Sequence, residues 1–67
     1  MRFVMIETPS GTQIAVNPNN INKIDLAADV VYLGLTGGSM VPTKFTDIAH
    51  AIDYIQRASS ISLTQGG

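Results

Sequence analysis

The sequence predicts an α+β domain, a small antiparallel β-meander of about five strands with one C-terminal amphipathic helix. Three observations carry this expectation. Apolar residues alternate with polar ones from Thr12 to Asn17, the mark of a half-buried strand. Two clusters of turn-forming residues, Thr8-Pro9-Ser10-Gly11 and Thr36-Gly37-Gly38-Ser39, stand between apolar runs where hairpins would close. From Phe45 onward the apolar period lengthens from two to about 3.6, because Ile48, Ile52, Ile55 and Ser59 fall on one stripe flanked by Ala51 and Ala58.

The elements follow in order. Arg2 to Glu7 is rich in β-branched and aromatic residues and forms a first strand that the Thr8–Gly11 cluster ends. Thr12, Ile14 and Val16 return against it, so the first unit reads as a hairpin. Asn17-Pro18-Asn19-Asn20 interrupts the chain, since proline has no N–H for a ladder and asparagine favours local turns; one helical turn fits there. Ile21, Ile24 and Leu26 lead a third strand, and Ala27-Ala28-Asp29 connects it to the run Val30-Val31-Tyr32-Leu33-Gly34-Leu35. Gly37 and Gly38 accept the positive φ of a tight hairpin, and Met40-Val41-Pro42 returns as an edge strand or a strand end. The helix takes Thr46 as its N-cap, with Asp47 in the first turn and Arg57 near the end. The domain is expected to span 1–58, with 59–67 a polar tail that is either disordered or adds a strand to a neighbour.

Val30–Leu35 and Phe3-Val4-Met5-Ile6 lack polar alternation, and such strands need cover on both faces. One helix covers only one. A 67-residue chain buries about 60% of its unfolded surface, a fraction that disulfides, metals or oligomers usually supplement. There is no cysteine, and His50 is the single histidine, which leaves oligomerisation. The composition agrees, with 45% hydrophobic and 13% charged residues, against about 25% charged in ordinary domains. Alternation sets Arg2, Val4 and Ile6 against Phe3, Met5 and Glu7, and Val30, Tyr32 and Gly34 against Val31, Leu33 and Leu35. One set meets the helix and the other a second subunit, and the candidate interface comprises Phe3, Met5, Val31, Tyr32, Leu33 and Met40.

Net charge is −1 and the four basic residues Arg2, Lys23, Lys44 and Arg57 are dispersed, so nucleic-acid binding is not expected. No apolar stretch approaches a membrane span and no signal peptide precedes the first strand, which predicts a cytoplasmic bacterial or viral protein. The carboxylates Glu7, Asp25, Asp29, Asp47 and Asp53 have no metal-loop spacing, and neither metal nor cofactor is expected. His50 lies near Asp47, Asp53 and Tyr54 on the polar side of the helix without a nucleophile, so catalysis is not expected either. Two sets of residues could meet a small ligand: Gly37-Gly38-Ser39 with Lys44 an anion, and Asn17, Asn19 and Asn20 a base edge or sugar hydroxyl, although a hairpin turn and a loop turn are the commoner roles of these residues. The leading expectation is a non-enzymatic homo-oligomeric binding protein that contacts or sequesters an unidentified protein, as an inhibitor or adaptor. The alternative is a sponge for a nucleotide-like anion, in which symmetry gathers Arg2, Lys44 or Arg57 around a shared pocket.

The spacing of Gly11, Ile14, Val16, Asn17, Ile21, Ile24, Val30–Leu35, Thr36, Gly38, Val41, Thr46, Ile48 and Ile52 resembles the flagellar FlbD-type family of very small bacterial proteins. The likeness spans most of residues 5–58 and rests on apolar and turn positions. Membership would imply a flagellar role. LytTR-type DNA-binding domains show a similar strand spacing but are longer and more basic.

Overall fold

The computed structural model describes the backbone of residues 3–66 and the side chains of residues 3–58. Five antiparallel strands precede one helix: β1 (Val4–Glu7), β2 (Gln13–Val16), β3 (Ile21–Ala27), β4 (Val30–Leu35), β5 (Met40–Pro42) and α1 (Ile48–Gly66). The α+β class is as the sequence predicts, but the meander divides into two sheets, β1-β2 and β3-β4-β5. The break lies at a 3-10 turn, Pro18–Asn20, where the Asn17 side chain accepts the Asn19 N–H at 3.0 Å. Pro18 cannot donate to a ladder, so the chain turns away from β2 and β3 pairs forward with β4.

Register decides which side chains are inside. Val4 pairs with Val16 and Ile6 with Ile14, and these four point inward. A bulge between Ile21 and Lys23 sets Ile21 and Ile24 on the inner side of β3, and Leu33 and Leu35 join them from β4. The core of Val4, Ile6, Val16 and Leu33 is closed by Val41 from β5 and by Ile55 and Ala58 from α1. Each aliphatic side chain so buried contributes about 1.5–3 kcal/mol. Val31 and Leu33 are wholly buried within the chain, which corrects their assignment to an interface between subunits. Their side chains face the core, and Tyr32 lies on the other side of the strand.

The link from β5 to α1 is stitched along β4. Thr43, buried at 1% exposure, donates its hydroxyl to the Val31 carbonyl at 2.9 Å, and that oxygen accepts the Phe45 N–H at 3.1 Å. The backbone adds Thr43 N–H to the Val31 carbonyl at 2.9 Å and Val31 N–H to the Phe45 carbonyl at 3.1 Å. The β3-β4 hairpin turns on Ala28 and Asp29, at φ of 51° and 64°, both in the left-handed region that L-residues resist.

The helix departs from the expected one in three ways. Its cap is Asp47, whose carboxylate accepts the His50 N–H at 3.0 Å, rather than Thr46. Ala51 is fully buried while Ile52 is exposed, so the inward stripe runs through Ile48, Ala51, Ile55 and Ala58. The helix also continues past Ala58 to Gly66, through residues read as a tail; once nucleated, a helix extends at little expense where neither proline nor glycine interrupts it. No helix is long and apolar enough to cross a membrane among the described residues.

Candidate functional site

Two sheet faces are left open by the chain. The first is the outer side of β3-β4-β5. Pairing lays Asp25, Tyr32 and Pro42 in one row, and Lys23, Gly34 and Met40 in the next. Tyr32 and Pro42 are half-buried and Met40 is exposed. Gly34 leaves room on this face that the Lys23 stem fills. A Cβ on it would come within 2.6 Å of Lys23 Cγ, so the missing side chain lets the lysine stem lie flat across β4. Beside it lies a shallow pocket of about 440 Å³, lined by Asn22, Lys23, Gly34, Leu35, Gly38, Ser39 and Met40. Lys23 Nζ stands 3.5 Å from Asp25, and both groups are well exposed.

The second is the outer side of β1-β2 with the start of α1. Phe3 and Met5 are about half exposed, and Met5 lies opposite the exposed Ala15. A groove of about 370 Å³ is lined by Met5, Glu7, Gln13, Lys44, Phe45 and Tyr54. The Phe45 and Tyr54 rings meet at a centroid distance of 5.4 Å, tilted by 48°. The Tyr54 hydroxyl donates to the Met5 carbonyl at 2.7 Å, and the Lys44 N–H donates to the Glu7 carbonyl at 2.9 Å. These two bonds occupy the outer carbonyls of β1, an edge that would otherwise invite another strand. A Lys44–Glu7 ion pair at 3.1 Å forms the groove's polar rim.

Of the residues expected to meet a small ligand, the Asn17–Asn20 turn adjoins the Gly37–Gly38 hairpin through Asn20 and Thr36, and Lys44 and Arg57 each stand in an ion pair. Arg2 lies outside the described residues. Asn17 caps the 3-10 turn, Asn19 supplies the N–H that it accepts, and the Asn20 carbonyl accepts the Thr36 N–H at 2.8 Å. Gly37 and Gly38, at φ of 99° and 95°, shape the β4-β5 hairpin, where the Gly38 N–H meets the Leu35 carbonyl at 3.0 Å and the Ser39 carbonyl accepts the Leu35 N–H at 2.8 Å. Lys44 pairs with Glu7, on the other open face, and Arg57 pairs with Asp53 at 2.9 Å, so both cations already have carboxylate partners. Of the interface candidates, Phe3, Met5, Tyr32 and Met40 lie on the open faces.

His50 approaches Asp47 at 3.5 Å on an exposed helix end, with no third group completing a relay. Tyr54, read with it on the polar side, is exposed, and its hydroxyl also ties α1 to β1. Sequence reasoning passed over Thr43, Phe45 and the Lys23–Gly34 contact. The first two follow a proline in a stretch without periodicity, and the third requires the register of two strands. Among the described residues no group of three or more His, Cys, Asp or Glu is placed to hold a metal ion.

No family model, curated protein or solved structure matches this chain. The likeness to FlbD-type proteins therefore stands on its apolar and turn positions alone.

Proposed function

We propose that the protein is a non-enzymatic homo-oligomeric binding module, which pairs with itself through one open sheet face and contacts or sequesters a partner through the other. The observation that supports this is the two-sidedness of β4. Its inner residues Val31 and Leu33 are covered by the core, while Tyr32, half-buried on its outer side, lies in a row between Asp25 and Pro42. An aromatic and proline centre with charged groups at its margin is the usual anatomy of a protein interface. The Met5–Phe45–Tyr54 groove has similar composition and suits an apolar segment of a second protein.

Native mass spectrometry on protein purified gently from its own host tests the reading. An oligomer is expected, with Tyr32→Asp giving a folded monomer and Met5→Asp releasing any co-purified protein. A wild-type monomer, or a Tyr32→Asp variant that keeps the full assembly, refutes self-association through this face. A bound species of a few hundred daltons would favour the anion-sequestering alternative.

A further inference from the structure

The outer face of β3-β4-β5 is complementary to itself. Its two central rows lie two residues apart along the strands, a separation of about 6.6–6.8 Å. One row reads Asp25, Tyr32, Pro42 and the other Lys23, Gly34, Met40. The rows are opposites, position by position: acid against base, an aromatic ring against a glycine that the Lys23 stem covers, and a rigid ring against a flexible thioether.

We infer that two copies of this chain stack face to face about a two-fold axis running across the strands midway between these rows. The inference rests on the self-association reading above and specifies it. Such an axis exchanges the rows, so each row of one copy meets the other row of its partner. The Tyr32 ring packs on the Lys23 stem that covers Gly34 of the second copy, at the margin of the pocket that Asn22, Ser39 and Met40 help to line. The Lys23 ammonium, which stands beside its own Asp25, also reaches the Asp25 carboxylate of the second copy, and the reciprocal pair forms at the same time. The ammonium beside the incoming ring adds a cation–π contact. In one chain Lys23 and Asp25 stand 3.5 Å apart with most of both groups exposed; the pairing places the four charges in alternation. The Tyr32 hydroxyl has no hydrogen-bond partner among the described residues, and near the partner's Lys23–Asp25 pair it gains one. Contacts of this kind close on themselves, so the product is a dimer and not a filament.

Charge reversal separates this register from any other mode of association. Lys23→Asp sets Asp against Asp across the axis, and Asp25→Lys sets Lys against Lys. Each variant alone is expected to weaken the homodimer about tenfold or more, because like charges then meet twice. Mixing the two variants is expected to restore association as a heterodimer, since every crossed pair is again of opposite sign. The double variant Lys23→Asp with Asp25→Lys is expected to dimerise like the wild type. Sedimentation velocity and native mass spectrometry read all four, with circular dichroism confirming that each variant is folded. A wild-type monomer overturns both self-association and this register. A wild-type dimer that either reversal leaves intact, or a mixture that yields no heterodimer, overturns the register alone.

Discussion

Replacing Thr43 by valine keeps the shape of a buried side chain and removes its oxygen. That oxygen holds two bonds, to the Val31 carbonyl at 2.9 Å and from the Phe45 N–H at 3.1 Å. Val31 retains the Thr43 N–H as a donor, so its carbonyl is not orphaned. Phe45 loses its acceptor. One lost bond at about 0.5–1.5 kcal/mol and one stranded donor at about 1–3 kcal/mol sum to roughly 2–4 kcal/mol. A chain of this size is stable by about 3–10 kcal/mol, so the loss is a large part of the whole. At about 4–8 °C per kcal/mol, the melting temperature should fall by roughly 8–32 °C. Urea titration followed by circular dichroism, at one fixed protein concentration so that association does not shift the midpoint, measures the change. Thr43→Ser keeps the hydroxyl, loses one methyl and should be destabilised by only about 1 kcal/mol. A valine variant within about 0.5 kcal/mol of wild type, or a serine variant as unstable as the valine one, would refute the reasoning.

Three further outcomes follow from the geometry. Asp47→Ala should destabilise the protein by about 1 kcal/mol by removing the cap on the His50 N–H, while Thr46→Ala should leave the urea midpoint nearly unchanged. Replacing Ala28 and Asp29 by Asn and Gly, residues that accept positive φ, should raise stability by about 1–2 kcal/mol; a lowered melting temperature would contradict the strained turn. Leu33→Ala should lose about 2–5 kcal/mol on denaturation, whereas Met40→Ala should change monomer stability by less than about 0.5 kcal/mol.

What was legible in the sequence is what local chemistry dictates. The Thr8–Gly11 and Thr36–Ser39 turns, the 3-10 turn at Asn17-Pro18 and the strand at Val30–Leu35 were all readable, because glycine, proline and asparagine act on their own backbone. The split into two sheets was not, since whether β3 pairs with β2 or β4 depends on the direction in which Pro18 sends the chain. Ile52 fitted the apolar stripe as well as Ala51 did, and only packing against the sheets selected the smaller residue at the closest approach. Val31 and Leu33 looked the same as Val30 and Tyr32 by hydropathy. Alternation separates such pairs but cannot say which one faces the core. The register that juxtaposes Tyr32 with Asp25, and Gly34 with Lys23, depends on a bulge that no local residue announces.

Each strand here pairs only with a neighbour in sequence, β1 with β2 and β3 with β4 with β5. Such hairpins form within microseconds, and chains of local pairings fold fast. The Tyr54 hydroxyl reaches back 49 positions to Met5 and cannot form until nearly the whole described chain is present. At a synthesis rate of about 5–20 residues each second, the last strand is made roughly 0.6–2.4 s before Tyr54. During that interval the inner sides of the sheets, with Val4, Ile6 and Leu33 on them, have no helix over them. A nascent chain of this design is most open to chaperones and to misassembly between strand pairing and helix docking.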